Sequence, residues 1–193
     1  MDRSSGSADR TPDAAWQQLV EIGEAERHFN GIESTYRGLA STWVLASFGG
    51  MGFAVSAAAL PVSRGLVIFA IAAAGSLGVQ LLWIVDLLAY HHLLAAYYLE
   101  GLRIESRYAA LPQVRWNMWR QGIVEGRVKL FYAGCALVLI PFGLTAVLVS
   151  DTAPAGKGTA IGCVAILVAC VWLLWRRSYN GWLYAAVKRI EQA

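Results

Sequence analysis

Four long stretches without a charged side chain limit what this chain can fold into. They lie between Arg37 and Arg64, Arg64 and Asp86, Lys129 and Asp151, and Lys157 and Arg176. A helix crosses a hydrocarbon core of about 30 Å with about 20 residues, because each residue adds about 1.5 Å. We therefore predict transmembrane helices over residues 39–60, 66–86, 130–150 and 159–175.

The composition favours a membrane protein over a soluble helical bundle. Only 15% of the residues are charged, whereas soluble domains have about 25%. A soluble bundle would need apolar runs short enough to form one-sided stripes, and these runs are continuous. We predict an all-α polytopic membrane protein, a four-helix transmembrane bundle. Residues 1–12 are expected to be a disordered tail. We expect residues 13–193 to form a single membrane domain, with cytoplasmic helical extensions over 13–37, 87–110 and 176–191.

The distribution of basic residues predicts the orientation. Fourteen of the sixteen Lys and Arg residues lie in the N-terminal arm, the central segment or the C-terminal tail, and only Arg64 and Lys157 lie in the other two loops. Because basic residues accumulate in cytoplasmic loops, we expect both termini in the cytoplasm and the protein in the inner (plasma) membrane. The basic face then suits anionic lipid headgroups, and the net charge of +3 gives no reason to expect nucleic acid as a partner.

An apolar row spaced by seven residues connects the N-terminal arm to the first span. It consists of Ile22, Phe29, Tyr36 and Trp43, and the pattern predicts one continuous helix from the arm into the bilayer. Gly50 belongs to a row of small residues in the same span, and such rows allow helices to approach closely in lipid. Two interpretations stay open: packing against a helix of the same chain, or self-association through Ile22, Phe29, Tyr36, Trp43 and Gly50.

Polar residues follow the second span and raise the question of a site. The candidates are Asp86, Tyr90, His91, His92 and Glu100. Helix neighbours are separated by three or four residues, which pairs Asp86 with Tyr90, turns His91 about 100° from His92 and puts Glu100 out of reach. The spacing predicts no metal site and no cofactor, with Asp86 bonded to a neighbouring helix and the histidines in water or headgroups.

Two functional alternatives use the same residues. One is a small proton-coupled transporter that works through Asp86 with His91 or His92, since ionisable groups near a span suggest function. The other is a membrane-bound enzyme whose site is shared between protomers. Against an enzyme, we find no G-x-S-x-G, H-E-x-x-H, P-loop or dinucleotide-binding motif, and no small-molecule ligand is indicated. We expect a non-enzymatic protein.

Tryptophan and arginine occur together at two predicted interfaces. The central segment carries Arg115, Trp116, Trp119 and Arg120, and the end of the fourth span carries Trp175, Arg176 and Arg177. Indole and guanidinium groups suit the membrane surface, so we expect these seven residues to contact lipid headgroups, the central ones in an interfacial turn. A helix is expected to continue past the fourth span.

The first half of the chain resembles a known group in its layout. Arg37 precedes a first span with Trp43. The second span ends through Trp83, Tyr90, Leu93 and Ala96, and Leu111 and Pro112 follow. This arrangement, over residues 34–113, is similar to that of RipA-like and SLATT-like small bacterial multi-pass membrane proteins. Ala96 stands one place late, and Asp86 with the two histidines departs from the pattern.

The resemblance implies homo-oligomers in the inner membrane and, for the SLATT-like branch, a membrane-perturbing effector role in bacterial conflict systems. No functional residue carries over. Together with the spans, these features predict a self-associating membrane scaffold or a pore-type component.

Overall fold

The computed structural model describes residues 12–58, 60, 62–121, 125–177 and 181–192. These residues form helices and their connections, with no strand among them. Residues 1–11 of the predicted disordered tail lie outside the described residues. The protein is therefore all-α, as the sequence predicts.

Seven α-helices and one π-helical segment follow one another in the described part of the chain. They are α1 Pro12–Ser56, α2 Arg64–Val85, the π segment Asp86–Tyr90, α3 His91–Arg107, α4 Val114–Arg120, α5 Glu125–Val149, α6 Pro154–Arg177 and α7 Gly181–Glu191. The 45 residues of α1 confirm that the arm and the first span are one helix. Among the described residues, α1, α2, α5 and α6 are long and apolar enough to cross a membrane, which identifies a multi-pass membrane protein.

Three local differences separate these elements from the sequence expectation. The helix through the second span ends at Arg107, before Leu111, and it contains the π segment. The expected interfacial turn is the helix α4. The fourth span, α6, ends at Arg177, and a separate helix, α7, follows it, whereas the sequence predicted that a helix continues past the span; residues 178–180 between them lie outside the described residues.

The chain divides into two compact units. Unit 1 contains the described parts of Met1–Ile32, Tyr90–Ile123 and Asn180–Ala193, and unit 2 contains those of Glu33–Ala89 and Val124–Tyr179. Long helices contribute to both units, because the first turns of α1 belong to unit 1 and its remainder to unit 2.

Unit 2 is built on close contact between α2 and α5. A side chain on Gly65 would collide with Ser150 and with the backbone oxygen of Ala146, and one on Gly143 would collide with Ala72. These glycines let the two helices approach closely, which is how helices associate in lipid. Two apolar clusters fill the unit; one contains Val79, Trp83, Tyr132, Ala136 and Val171, and the other contains Met51, Ile68, Ala72 and Leu139.

Unit 2 has two short connections, one between α1 and α2 and one between α5 and α6. They are held by hydroxyl groups and by two basic residues, Arg64 and Lys157. Thr152 Oγ1 is 3.0 Å from Ser63 Oγ and 2.6 Å from Ser150 Oγ. Arg64 donates to the carbonyl of Ala57 at 2.6 Å, and Lys157 donates to that of Leu148 at 2.9 Å. Carbonyls at a helix end have no partner within the helix, and a cation there is favourable.

Unit 1 has a smaller core. Leu99, Leu102, Trp116, Leu183 and Val187 bring α3, α4 and α7 together. The first turns of α1 add a second cluster, in which Ala15, Leu19 and Ile22 pack with Ile104.

Candidate functional site

The π segment places Asp86 inside unit 2. Asp86 opens this segment and is only 3% exposed. A π turn inside an α-helix is uncommon and occurs frequently at functional sites. A buried acid at the end of an apolar span is also a candidate functional residue by itself.

Asp86 belongs to a group of residues of unit 2 that are connected through Tyr132, and we call this group the Asp86 cluster: Glu33, Arg37, Trp83, Asp86 and Tyr132. The rings of Trp83 and Tyr132 are stacked, with centroids 5.9 Å apart and an angle of 8° between their planes. The Tyr132 hydroxyl interacts with the Asp86 carboxyl, although not in standard hydrogen-bond geometry. Arg37 and Glu33 also act on that hydroxyl through their charges.

The charges of this cluster come from different helices. Arg37 Nη2 donates to Glu33 Oε2 at 2.7 Å, one turn apart on α1. Asp86 follows α2, and α5 supplies Tyr132 together with Lys129, which is buried one turn earlier. Trp83 and Tyr132 stack between α2 and α5, and the charges of Glu33 and Arg37 on α1 act on the Tyr132 hydroxyl, so the cluster connects groups of three helices. The Asp86 carboxyl acts on the Tyr132 hydroxyl of α5, and the sequence expectation that Asp86 bonds a neighbouring helix stays a prediction.

The other candidate residues at the end of the second span belong to unit 1. Tyr90 and His91 are half-buried, whereas His92 and Glu100 are exposed. Glu100 accepts a hydrogen bond from Arg103 at 3.0 Å on the protein surface. The five candidates are therefore divided between the two units. Within the described ranges, no three His, Cys, Asp or Glu side chains come together as metal ligands would.

Unit 1 has a buried ionic site of its own, centred on Arg115. Its guanidinium donates to Glu26 through Nε at 2.9 Å and Nη2 at 2.8 Å, and to Glu105 through Nη1 at 3.1 Å. Glu105 also accepts the backbone N–H groups of Arg115 and Trp116. It thereby caps the start of α4, where N–H groups lack partners within the helix. Gly101 makes room, because a side chain there would collide with the guanidinium.

The charges of this site change the pKa of the neighbouring Tyr98. Its hydroxyl donates to the backbone oxygen of Arg115 at 2.8 Å. Burial, followed by the negative charges of Glu105 and Glu26, raises the pKa of Tyr98 to about 12. Burial lowers the pKa of Arg115, but its hydrogen bonds and charge interactions with the two glutamates outweigh burial and raise it. Arg115 is therefore a fixed positive charge in the interior of unit 1.

Some of the residues expected at the lipid interface are buried, and others are exposed. Arg115 and Trp116 are buried in unit 1, which differs from the expected turn facing lipid, because Glu26 and Glu105 hold Arg115 inside. Trp119 is half-buried against Tyr184, with ring centroids 5.3 Å apart, and Arg120 is exposed. At the end of α6, Trp175, Arg176 and Arg177 are all exposed.

The row expected to mediate self-association makes contacts within the chain. In unit 1, Ile22 packs with Ile104, and the ring of Phe29 is 5.6 Å from that of Tyr97. In unit 2, Trp43 covers Gly78, and Gly50 faces Ile71. Tyr36 is half-buried. Packing within one chain accounts for these contacts, and self-association through this row stays a prediction.

A different surface of unit 2 is lined by small exposed residues. On α6 the small residues Ala155, Gly158, Gly162, Ala165 and Ala169 are all exposed. A side chain added at Gly158 or Gly162 would meet nothing within 4 Å. At about 100° per residue the five positions occupy one face, about 180° from Ala160 and Val171, the buried residues of α6. We call this face the α6 small-residue face.

Several residues of these sites were not predicted from the sequence. Some of them have a local sequence pattern that indicates their contact, and others have none. The spacing of Glu33 and Arg37 is that of a helical ion pair, and it indicates the contact but not its burial. The spacing of Gly158 and Gly162 in the sequence does indicate close helix packing in lipid, but it does not show that this face of α6 is exposed. No local pattern links Arg115 to Glu26, since they are 89 residues apart.

Comparison of the chain with models of protein families, with curated proteins and with solved structures gave no match. The geometry of the two units is therefore the basis of the functional argument below.

Proposed function

We propose that this protein is a non-enzymatic scaffold of the inner membrane that self-associates through α6, with both termini in the cytoplasm. The single observation that carries the proposal is the α6 small-residue face, five exposed small residues in the least covered span. Only 17% of the most apolar stretch of α6 is buried, against 22% for α1 and 39% for α2 and for α5.

Packing in lipid explains why this face favours a second copy of the chain. Lipid tails are as apolar as leucine, so an exposed leucine gains little by leaving them. Small residues act differently, because they allow two backbones to come close and to gain van der Waals contact along a seam. The glycines of α2 and α5 already serve this purpose inside unit 2, whereas Gly158 and Gly162 face open space.

The layout shared with RipA-like and SLATT-like proteins supports the same proposal, since that resemblance implies homo-oligomers. In this scaffold, α6 joins the copies. The Arg115 site stabilises unit 1 by holding α3, α4 and the first turns of α1 together.

The test replaces one glycine of the α6 small-residue face by leucine. Gly162→Leu should weaken self-association at least about tenfold, which corresponds to about 1.4 kcal/mol, because the new side chain separates the two backbones. Association would be measured by energy transfer between labelled copies diluted in lipid vesicles.

Gly134→Leu is the matched control. Gly134 is also exposed in a span and also has nothing within 4 Å, but its helix neighbours Leu130, Leu137 and Val138 are large and exposed. This variant should associate like the unchanged protein. A strictly monomeric unchanged protein, or equal association of the Gly162→Leu variant, would refute the proposal.

A further inference from the structure

The Asp86 cluster contains buried hydrogen-bond donors that no described residue satisfies. They are the Trp83 indole Nε1 and the Arg37 Nε. Trp83 and Tyr132 are both 0% exposed. A buried donor without an acceptor costs free energy comparable to a lost hydrogen bond, and native proteins rarely leave one so.

The donors belong to one small region. Trp83 is stacked on Tyr132, and Arg37 acts on the Tyr132 hydroxyl through its charge. The carboxylates of Glu33 and Asp86 act on the same hydroxyl. Donors and acceptors are therefore mixed in one place, within an otherwise apolar bundle.

We propose that the Asp86 cluster is a binding site for internal water inside unit 2. A water molecule accepts a hydrogen bond from the Trp83 indole or the Arg37 Nε and donates one to a carboxylate. It thus gives an acceptor to the Trp83 indole and to the Arg37 Nε, which have none among the described residues. Buried waters typically make about three such bonds to polar groups of the protein.

The charges of the cluster select water over an ion. Glu33 and Asp86 would repel an anion, and Arg37 and the nearby Lys129 would repel a cation. The Trp83 indole can only donate, so its partner must be an acceptor. A small neutral molecule that both donates and accepts hydrogen bonds, such as water, fits all of these groups.

The site has a consequence for the bundle that is independent of self-association. Its groups come from α1, α2, the π segment and α5. Bound water completes the polar connection among these helices at the point where α2 gives way to the π segment. The proposed α6 contact involves the opposite face of α6 and none of these residues.

The test measures transfer of magnetisation from water to the indole N–H of Trp83 by solid-state NMR. The probe is water itself, and the protein is uniformly labelled with nitrogen-15 and held in lipid nanodiscs. The Trp83 signal is identified by its loss in Trp83→Phe. The amide of Val79, which is 0% exposed in an apolar cluster, is the dry reference.

We expect Trp83 to receive magnetisation from water faster than Val79 does. Asp86→Leu should remove this difference, because it deletes an acceptor. Ser76→Ala, which alters a buried polar group bonded to Gln80 on the same helix, should preserve it. Transfer to Trp83 as slow as to Val79 in the unchanged protein would overturn the proposal. Unaltered transfer in Asp86→Leu would overturn it as well.

Discussion

The interiors of the two units are held together by different interactions. In unit 1 the buried Arg115 is bonded to two glutamates, and one of these also caps a helix. In unit 2 the helices α2 and α5 meet at glycines. Glycine serves both units, but Gly101 admits a guanidinium in unit 1 and Gly65 admits a neighbouring helix in unit 2.

This difference shows how the surroundings decide which interaction stabilises a helix pair. A charge is buried at acceptable cost only where its hydrogen bonds are complete, as those of Glu105 are. Apolar spans in lipid gain nothing from hydrophobic burial, so close backbone approach takes its place. Unit 1 should therefore be sensitive to loss of a partner, and unit 2 to added volume.

The largest expected effect comes from removing the centre of the ionic site. Arg115→Met leaves Glu105, which is 1% exposed, without its positive partner and should cost about 3–5 kcal/mol. Arg120→Met, on the exposed side of the same helix, should change the stability by less than about 0.5 kcal/mol. The stabilities of the two variants are compared by chemical denaturation in nanodiscs, with circular dichroism as the signal. Equal stabilities would show that the ionic site does not hold unit 1 together.

Added volume should damage unit 2. Gly65→Ala places a methyl group against the backbone oxygen of Ala146 and against Ser150, and such overpacking costs about 1–3 kcal/mol. Gly134→Ala, at an open position of α5, should instead stabilise the helix by about 0.5–1 kcal/mol. Thermal unfolding of both variants in nanodiscs shows whether each substitution raises or lowers the stability of the protein. A stabilising Gly65→Ala would contradict the close packing of α2 and α5.

Tyr98 gives a smaller effect with a characteristic pH dependence. Tyr98→Phe removes the hydrogen bond to Arg115 and should cost about 1 kcal/mol at neutral pH. The pKa of Tyr98 is about 12 in the folded protein and 10.0 for the free group. Above pH 10 the unfolded chain loses this proton first, so stability falls as the pH rises towards 12.

Tyr98→Phe should therefore reduce the loss of stability in this range. Denaturation midpoints of both proteins between pH 10 and 12 provide the comparison. An identical slope in the two proteins would mean that Tyr98 ionises in the folded state as freely as a tyrosine in water.

The smallest effect is expected where a charge pair is exposed. Glu100 and Arg103 are 3.0 Å apart, but both side chains are more than half exposed, and such pairs contribute at most about 1 kcal/mol. Glu100→Gln should change the stability of unit 1 far less than Arg115→Met does. A comparable loss in the same denaturation assay would mean that burial does not distinguish the two ion pairs.

Much of the fold could be predicted because its signals are local. Uncharged stretches of span length predicted four helices, and the spacing of Ile22, Phe29, Tyr36 and Trp43 predicted that α1 is continuous. The Asp86 cluster was harder to predict, because its contacts are not local. Asp86 was recognised as a polar residue at the end of a span, but its contact with Tyr132 joins residues far apart in the chain. The alternation of Trp and Arg in residues 114–120 suggested a lipid surface, yet it is also the pattern of an amphipathic helix with a buried side.

The sequence by itself determined which segments are helical and apolar, because length, charge and periodicity are properties of neighbouring residues. Only the tertiary structure decided which charges are buried. Glu33, Glu105 and Arg115 look like surface residues in the sequence, and each is less than a tenth exposed. Their burial depends on partners that other helices supply or hold in place, and a one-dimensional pattern contains no distance between such partners.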